Sequence, residues 1–327
     1  MRSEVWAVFA VLFLTASLGY AAEVHEEEVK RFPIPPGSRL SVRMQDGTVR
    51  VSTWKRSEAE IAITKRAWGR GRKRAEERLA EIEVAVRKHR AGLEVVVYDH
   101  GRKTEFSFWD LFDPDTWSSE GRRAEVDLRI TVPEQTSFML NGDDCDVQIR
   151  GLNGGLDLEF DDGGVEIQKI RSDDIRIETG DADIDLYDID SADGRIWLMS
   201  DDGRIRVEKC EARELEAETD DGDVVLISTR LQRLSVRTED GDVDLEPDLE
   251  DRARVRVVTD DGDVVLSLPE DIDCQFDLET EEGEIRSDFD LEIEETEYGA
   301  RVRDKIGSGR IRISVYSQGG DVRLESR

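Results

Sequence analysis

Three stretches of the chain are near copies: T-D-D-G-D-V-V-L (219–226), T-E-D-G-D-V-D-L (238–245) and T-D-D-G-D-V-V-L (259–266). Looser copies are S-D-D-G-R-I-R-V (200–207), T-E-E-G-E-I-R-S (280–287), T-G-D-A-D-I-D-L (179–186) and F-D-D-G-G-V-E-I (160–167), with an outlier, M-Q-D-G-T-V-R-V, at 44–51. The aliphatic residue after each turn marks the unit: Val147, Val165, Ile184, Ile205, Val224, Val243, Val264 and Ile285, in steps of 18, 19, 21, 19, 19, 21 and 21. Ile311 and Val322 extend the series less regularly.

Within a unit the pattern alternates. Leu215, Ala217 and Thr219 are interleaved with Glu216 and Glu218, and Val224 and Leu226 resume the alternation after Asp221-Gly222. Period-two alternation on both sides of a glycine turn predicts two short strands per unit. Glycine suits such a turn where the chain needs φ > 0. Asp-Gly between alternating strands is also a strong hairpin signal, so a stacked antiparallel meander is one architecture. The other is an all-β solenoid, a single-stranded β-helix with one unit of 19–21 residues per coil. Near-constant unit length favours the solenoid, because each coil must return to the same register. Rungs then stack at about 4.8 Å.

The repeat stops between Trp54 and Ala124. Arg70 to Arg90 is rich in Arg and Lys and predicts a short amphipathic helix with Ala75, Leu79 and Ile82 on one side. Val84–Val86 and Leu93–Tyr98 predict a hairpin about Ala91-Gly92. An aromatic cluster follows: Phe106, Phe108, Trp109, Phe112 and Trp117. An open-ended stack needs capping, and this insert is the expected N-terminal cap. It also offers aromatic anchors that similar acidic rungs lack, so these five aromatics are the candidate partner-binding residues. The expected organisation is a signal peptide (1–21), first strands (22–54), a cap insert with short helix, hairpin and aromatic loop (55–125) and β-solenoid repeats (126–327).

The N-terminus reads as an export signal. Arg2 precedes the apolar run Val5–Leu18, and small residues follow at Gly19, Ala21 and Ala22. The run is short for a membrane span and fits a secretory signal cleaved after Ala21 or Ala22. The chain beyond it is expected in the periplasm or at the cell surface, with no membrane insertion after cleavage.

Composition narrows the function. The 327 residues carry 46 Lys+Arg against 77 Asp+Glu, a formal net charge of -31. Nucleic acid and anionic lipid surfaces share that sign and are disfavoured as partners. Stacking would also place Asp202, Asp221, Asp240, Asp261 and Glu282 in one ladder, and Asp223, Asp242, Asp263 and Glu284 in another. Unit charges at that spacing repel by about 1 kcal/mol even in water. No cofactor is expected: the ladders read as a solvated acidic edge with Arg204, Arg237 and Arg256 nearby, and calcium at the acidic turns is the alternative, its spacing matching neither an EF-hand nor a nonapeptide calcium roll. The Thr/Ser column (Thr179, Ser200, Thr219, Thr238, Thr259, Thr280) shares its phase with the core positions and reads as structural. Cys145, Cys210 and Cys274 fall in or beside strands and are expected to be buried and inert. No phosphate loop, nucleophile elbow, zinc spacing or metalloprotease motif is present.

Signal peptide, then R-L-S-V-R-M-Q-D-G-T-V-R-V-S-T-W (39–54), then an insert ending V-D-L-R-I-T-V-P (126–133), then tandem T-x-D-G-D-V units, resembles the exported bacterial putative-adhesin family of β-strand-repeat proteins. The resemblance covers roughly residues 28–325. It implies a β-solenoid and an envelope or surface location, and it brings no catalytic residues. Cys145 and Ala182 occupy turn slots where the pattern calls for Gly. The function expected is non-enzymatic: an adhesin-like scaffold or interaction module whose partner is a protein or glycan of the cell envelope. The alternative is a carbohydrate-active β-helix enzyme acting on polysaccharide. Such an enzyme needs long irregular loops over one face, and these turns are short and alike.

Overall fold

The Asp-Gly turns do not fold back as hairpins. Val224 pairs in parallel with Ile205 on one side and with Val243 on the other. The pairing continues through Val165, Ile184, Ile205, Val224, Val243 and Val264, one marker residue per unit. Every one of these side chains is buried. Each contributes about 1.5–3 kcal/mol by leaving water. Phase is strictly specified here, since a slip of one residue would turn the whole column outward.

The computed structural model describes residues 9–11, 22–99 and 124–327. Among the described residues all regular structure is β-strand apart from one helix, Arg72–Ala80. Two units divide the chain: residues 1–136 with 140–146, and residues 137–139 with 147–327. The expected signal segment, apart from Phe9–Val11, and the aromatics Phe106, Phe108, Trp109, Phe112 and Trp117 lie outside the described residues.

The second unit holds the repeats. One repeat buries Val224 and Leu226, then Thr229 and Leu231, then Leu234, Val236 and Thr238. Between these inward segments the alternation breaks, at Ile227–Ser228 and at Gln232–Arg233, where two successive residues face outward. The first break is built by a left-handed residue. Lys169, Asp188, Lys209 and Ser228 stand at φ 57°, 60°, 52° and 52°, four residues after successive markers. Each bulge bends its strand and stacks on the next. A non-glycine residue there costs about 1–2 kcal/mol, which the buried columns on either side offset. The second break absorbs the difference between short and long units. Ala192-Asp193-Gly194 separates Ser191 from Arg195, where the following unit has Arg213 alone between Ala212 and Glu214. Two extra residues leave the inward phase unchanged.

The stack does not end in sequence order. Val322 pairs with Val264 on one side and Ile285 on the other, and Ile313 lies between Val255 and Phe276. The last two strands, Ile311–Ser317 and Val322–Ser326, are thus inserted between units that are neighbours in the chain. This corrects the expectation that Ile311 and Val322 extend the series beyond Ile285. Ser317-Gln318-Gly319-Gly320-Asp321-Val322 is itself a copy of the repeat turn and fits any rung of the stack. The other edge of Cys274–Thr280 is covered by Ala300–Ile306, antiparallel, and that strand in turn by Ile293–Glu295. The outermost strand is three residues long and exposed, with Glu294 and Glu295 on it, which blunts edge-to-edge pairing.

In the first unit, Glu58–Gly69 pairs antiparallel with Ala22–Pro33 and with Ala124–Pro133. Arg39–Trp54 runs parallel to Gly92–Asp99 over one half and to Ala124–Pro133 over the other. Gly47 joins the halves at φ 135°, with Val126 O only 2.1 Å from where a Cβ would sit, so only glycine fits. The helix Arg72–Ala80 carries the Arg72–Glu76 and Lys73–Glu77 pairs and buries Ala75. Ile82, expected on the helix, instead opens the strand Ile82–His89, which pairs antiparallel with Gly92–Asp99. Alternating Ile82, Val84 and Val86 favour the pleated surface over the helix.

Candidate interaction surface: the turn edge and the arginine face

The T-x-x-G turn works as a closed hydrogen-bonding device. Thr219 Oγ1 accepts the Gly222 N–H at 3.1 Å and donates to Asp201 O of the preceding rung at 3.0 Å. Thr238 does the same with Gly241 and Asp220, and Thr259 with Gly262 and Glu239. Ser200, Thr280 and Ser317 also accept the N–H of the glycine three residues on. All these hydroxyls are buried. Ser or Thr at that slot is therefore a cap for a buried N–H.

The glycines are there for a different reason than expected. Gly203, Gly222, Gly241 and Gly262 lie outside the left-handed region. Each instead sits on the carbonyl of its counterpart one rung back. A Cβ on Gly222 would lie 2.1 Å from Gly203 O, on Gly241 2.0 Å from Gly222 O, and on Gly262 1.9 Å from Gly241 O. Close backbone approach excludes any side chain. Ala182 heads this column, fully buried. Its counterpart one rung back, Gly163, is exposed at φ 121°, so that turn follows another path and leaves room for a methyl group.

The turns are tied rung to rung through their backbones, and one of the two acidic ladders also accepts backbone N–H groups. The N–H groups of Asp220 and Asp221 both donate to Asp201 O, and those of Glu239 and Asp240 to Asp220 O. The carboxylate after each glycine caps the next rung: Asp223 Oδ1 accepts the Asp242 N–H at 3.0 Å, and Asp242 Oδ1 accepts the Asp263 N–H at 2.9 Å. The middle acids have no such partner. The carboxyl of Asp202 is raised above its ordinary value by Asp181, then by desolvation and Asp221. Among the described residues no group of three or more His, Cys, Asp or Glu is gathered closely enough to hold a metal ion.

Cys145, Cys210 and Cys274 are buried and unbridged. Burial pushes each thiol up to about 12, so none is a thiolate nucleophile near neutral pH.

The outward side of the third segment differs from the acidic edge. Arg233, Arg254 and Arg312 are register partners on three adjacent parallel strands, as are Ser235, Arg256 and Ser314 beside them. Arg233 reaches Glu214 at 3.5 Å, while Arg254, Arg256 and Arg312 are exposed with no acidic partner among the described residues. This corrects the expectation of a uniformly acidic surface along the repeats. A cleft of about 390 Å³ opens near the start of this row, with Asp174, Asp193, Arg195, Arg213, Glu214 and Arg233 among its lining. The arginine row was visible in principle once the units were aligned, since Arg233, Arg254 and Arg312 fall in one slot.

A family model described as Toastrack DUF4097 matches residues 37–325. No curated protein matches the chain. Among solved structures, a putative adhesin from Bacteroides fragilis is 12% identical, with 91% of this chain and 96% of that chain covered and a TM-score of 0.39. A putative lipid binding protein from Parabacteroides distasonis is 10% identical, with 91% and 96% covered and a TM-score of 0.38. A putative cell adhesion protein from Clostridium sporogenes is 9% identical, with 92% and 100% covered and a TM-score of 0.24. The resemblance read from the repeats agrees with the family model, and over that span the chain belongs to the Toastrack DUF4097 family.

Proposed function

We propose that this protein is a non-enzymatic, exported envelope protein, an adhesin-like interaction module whose repeats form a β-solenoid. The observation that carries the reading is the fate of the repeated polar residues. The Thr and Ser hydroxyls cap glycine N–H groups, and the Asp after each glycine caps the next rung. The hydroxyls and the post-glycine carboxylates are thus engaged in holding backbone, while the middle acids of each turn stay free on a rigid patterned surface that the fold presents outward. In this reading residues 1–21 are an export signal, 22–54 the first strands, 55–125 a cap insert and 126–327 the solenoid. The mature chain resides in the periplasm or at the cell surface. Among the described residues no helix is long and apolar enough to cross a membrane. The aromatic segment with Phe106, Phe108, Trp109, Phe112 and Trp117 remains a proposed partner contact on sequence grounds. The test is binding of the purified chain from residue 22 onward to whole cells and envelope fractions, alongside a depolymerisation screen on polysaccharides. Saturable binding without bond cleavage is the expected result; turnover of any polysaccharide would overturn the reading.

A further inference from the structure

We propose that the outward face of Val224–Arg237, Val243–Thr259 and Ile311–Ser317 binds an anionic glycan, its sugars bearing carboxylate or sulfate groups; this rests on the envelope-module reading and names its partner class. Most outward arginines of the repeats have an acid at hand: Arg204 with Asp183, Arg286 with Glu284, Arg303 with Asp277. Arg254, Arg256 and Arg312 have none among the described residues, in a protein with 77 acidic residues against 46 basic ones. They are also crowded. Arg254 and Arg312 are direct register partners on adjacent strands, and Arg256 lies two residues along on the same face. Like charges at that separation repel, and an anion bridging them turns the repulsion into attraction. Guanidinium groups are suited to the task, since they grip carboxylate and sulfate oxygens through paired N–H donors.

The shape of the patch selects the ligand. Arg233, Arg254 and Arg312 form a row across the strands at the rung spacing of about 4.8 Å. A linear chain with regularly placed charges can follow that row. The same rungs carry Glu239, Asp240, Asp260 and Asp261 at the turn, immediately beyond Arg237 and Thr259. A wide anionic surface such as a bilayer or a duplex would meet those acids as well, whereas a single narrow chain avoids them. Ser235 and Ser314 flank Arg256 in register and offer hydroxyls to a sugar ring. Tyr316 is half-buried on the same strand, its hydroxyl held 2.7 Å from Glu281. One aromatic does not make the row of stacking platforms that single-stranded nucleic acid requires.

The experiment uses the chain from residue 22 onward with five probes: polygalacturonate, dextran sulfate, neutral dextran, a single-stranded oligonucleotide and phosphatidylglycerol vesicles. Binding is measured by calorimetry at low and physiological salt. The expected result is binding of polygalacturonate or dextran sulfate, weakened by salt, with none to neutral dextran. The triple variant R254Q/R256Q/R312Q should lose about tenfold or more in affinity. A control with the same charge change on other positions, R204Q/R286Q/R323Q, should stay within about twofold, and R254K/R256K/R312K should retain part of the affinity. Melting curves of all three variants establish that each is folded. Equal loss in both glutamine triples, absence of anionic-glycan binding, or tighter binding of oligonucleotide or vesicles would overturn the assignment and leave the envelope reading to its cell-binding test. Cleavage of a glycan would overturn the envelope reading itself.

Discussion

Replacing Gly241 with Ala tests the packing of the turn column. The new Cβ would lie 2.0 Å from Gly222 O and 2.8 Å from Thr238 Oγ1, where ordinary contact begins at 3.4 Å. Relief requires the two turns to part by about 1.4 Å, taken from those same distances. The Glu239 and Asp240 N–H groups now lie 2.9 and 3.0 Å from Asp220 O, so separation on that scale takes both bonds out of range. Overpacking costs about 1–3 kcal/mol, and the two lost hydrogen bonds, made at exposed turn residues, about 0.5–1.5 kcal/mol each, giving about 2–6 kcal/mol in all. For a unit of this size that lowers Tm by about 10 °C. Calorimetry on Gly241→Ala, Gly241→Asn and Gly155→Ala separates the explanations. Gly155 has nothing nearer than 3.7 Å to a built Cβ, so its change should be close to neutral. Were Gly241 required for a left-handed backbone, Asn would be milder than Ala. Close approach predicts that Asn is at least as harmful. A mild Gly241→Asn, or two neutral Gly241 variants, would refute the reasoning.

Val243→Asp places a charge among fully buried neighbours and should cost several kcal/mol in urea unfolding, whereas Asp244→Lys on the outward side of the same strand should cost little. Asp244 has its carboxyl raised by burial, with Glu325 and Glu246 adding to it; its folded value exceeds the unfolded one, so its ionised form destabilises as pH rises through the folded value. Asp244→Asn should therefore be stabilising near pH 7, with the gain vanishing below the unfolded value of about 3.9 in a pH-resolved melting series. Asp273 behaves oppositely: its carboxylate accepts Ser308 Oγ at 2.7 Å and the Gly309 and Arg310 N–H groups, which hold it well below the usual range. Its stabilisation is present above the unfolded value and is lost as pH falls toward the folded one, and Asp273→Asn should speed amide exchange over Gly309–Ile313. The three cysteines should resist a thiol reagent in the native protein and react fully in denaturant.

The repeat was legible because Val224, Leu226 and their equivalents alternate with charged residues around a fixed glycine. Parallel stacking followed from unit length, since hairpins put no such demand on register. The turn glycines were visible, but their reason was not. A tight approach between rungs leaves no trace in one unit, and Asp-Gly suggests a positive φ by local logic alone. The bulges at Lys169, Asp188, Lys209 and Ser228 were hidden because Lys and Ser carry no left-handed signature, and the one Asp among them is a single weak signal in a chain rich in Asp. Tertiary stacking imposes that conformation against local preference. Placement of Val322 was hidden because insertion between Val264 and Ile285 is a matter of topology, and the sequence of the intervening segment from Ser287 to Arg310, which lacks the repeat, gives no direction. The arginine face was present as a slot but was obscured by the overall charge. The aromatics Phe106 to Trp117, read as the partner-binding segment, lie outside the described residues and keep that role only as a proposal.

Disulfide trapping of the inserted rung tests the architecture most directly. Val265, Arg323 and Arg286 face outward on three strands, with Val265 paired to Arg323 and Arg323 to Arg286. Adjacent register partners lie within the Cα separation a disulfide tolerates, about 4.4–6.8 Å, while residues two rungs apart, at about 10 Å, do not. Under mild oxidation the V265C/R323C and R286C/R323C variants should each form an intramolecular bridge, and V265C/R286C should not. A bridge in V265C/R286C without one in V265C/R323C would mean that the rungs stack in chain order, and would contradict the account.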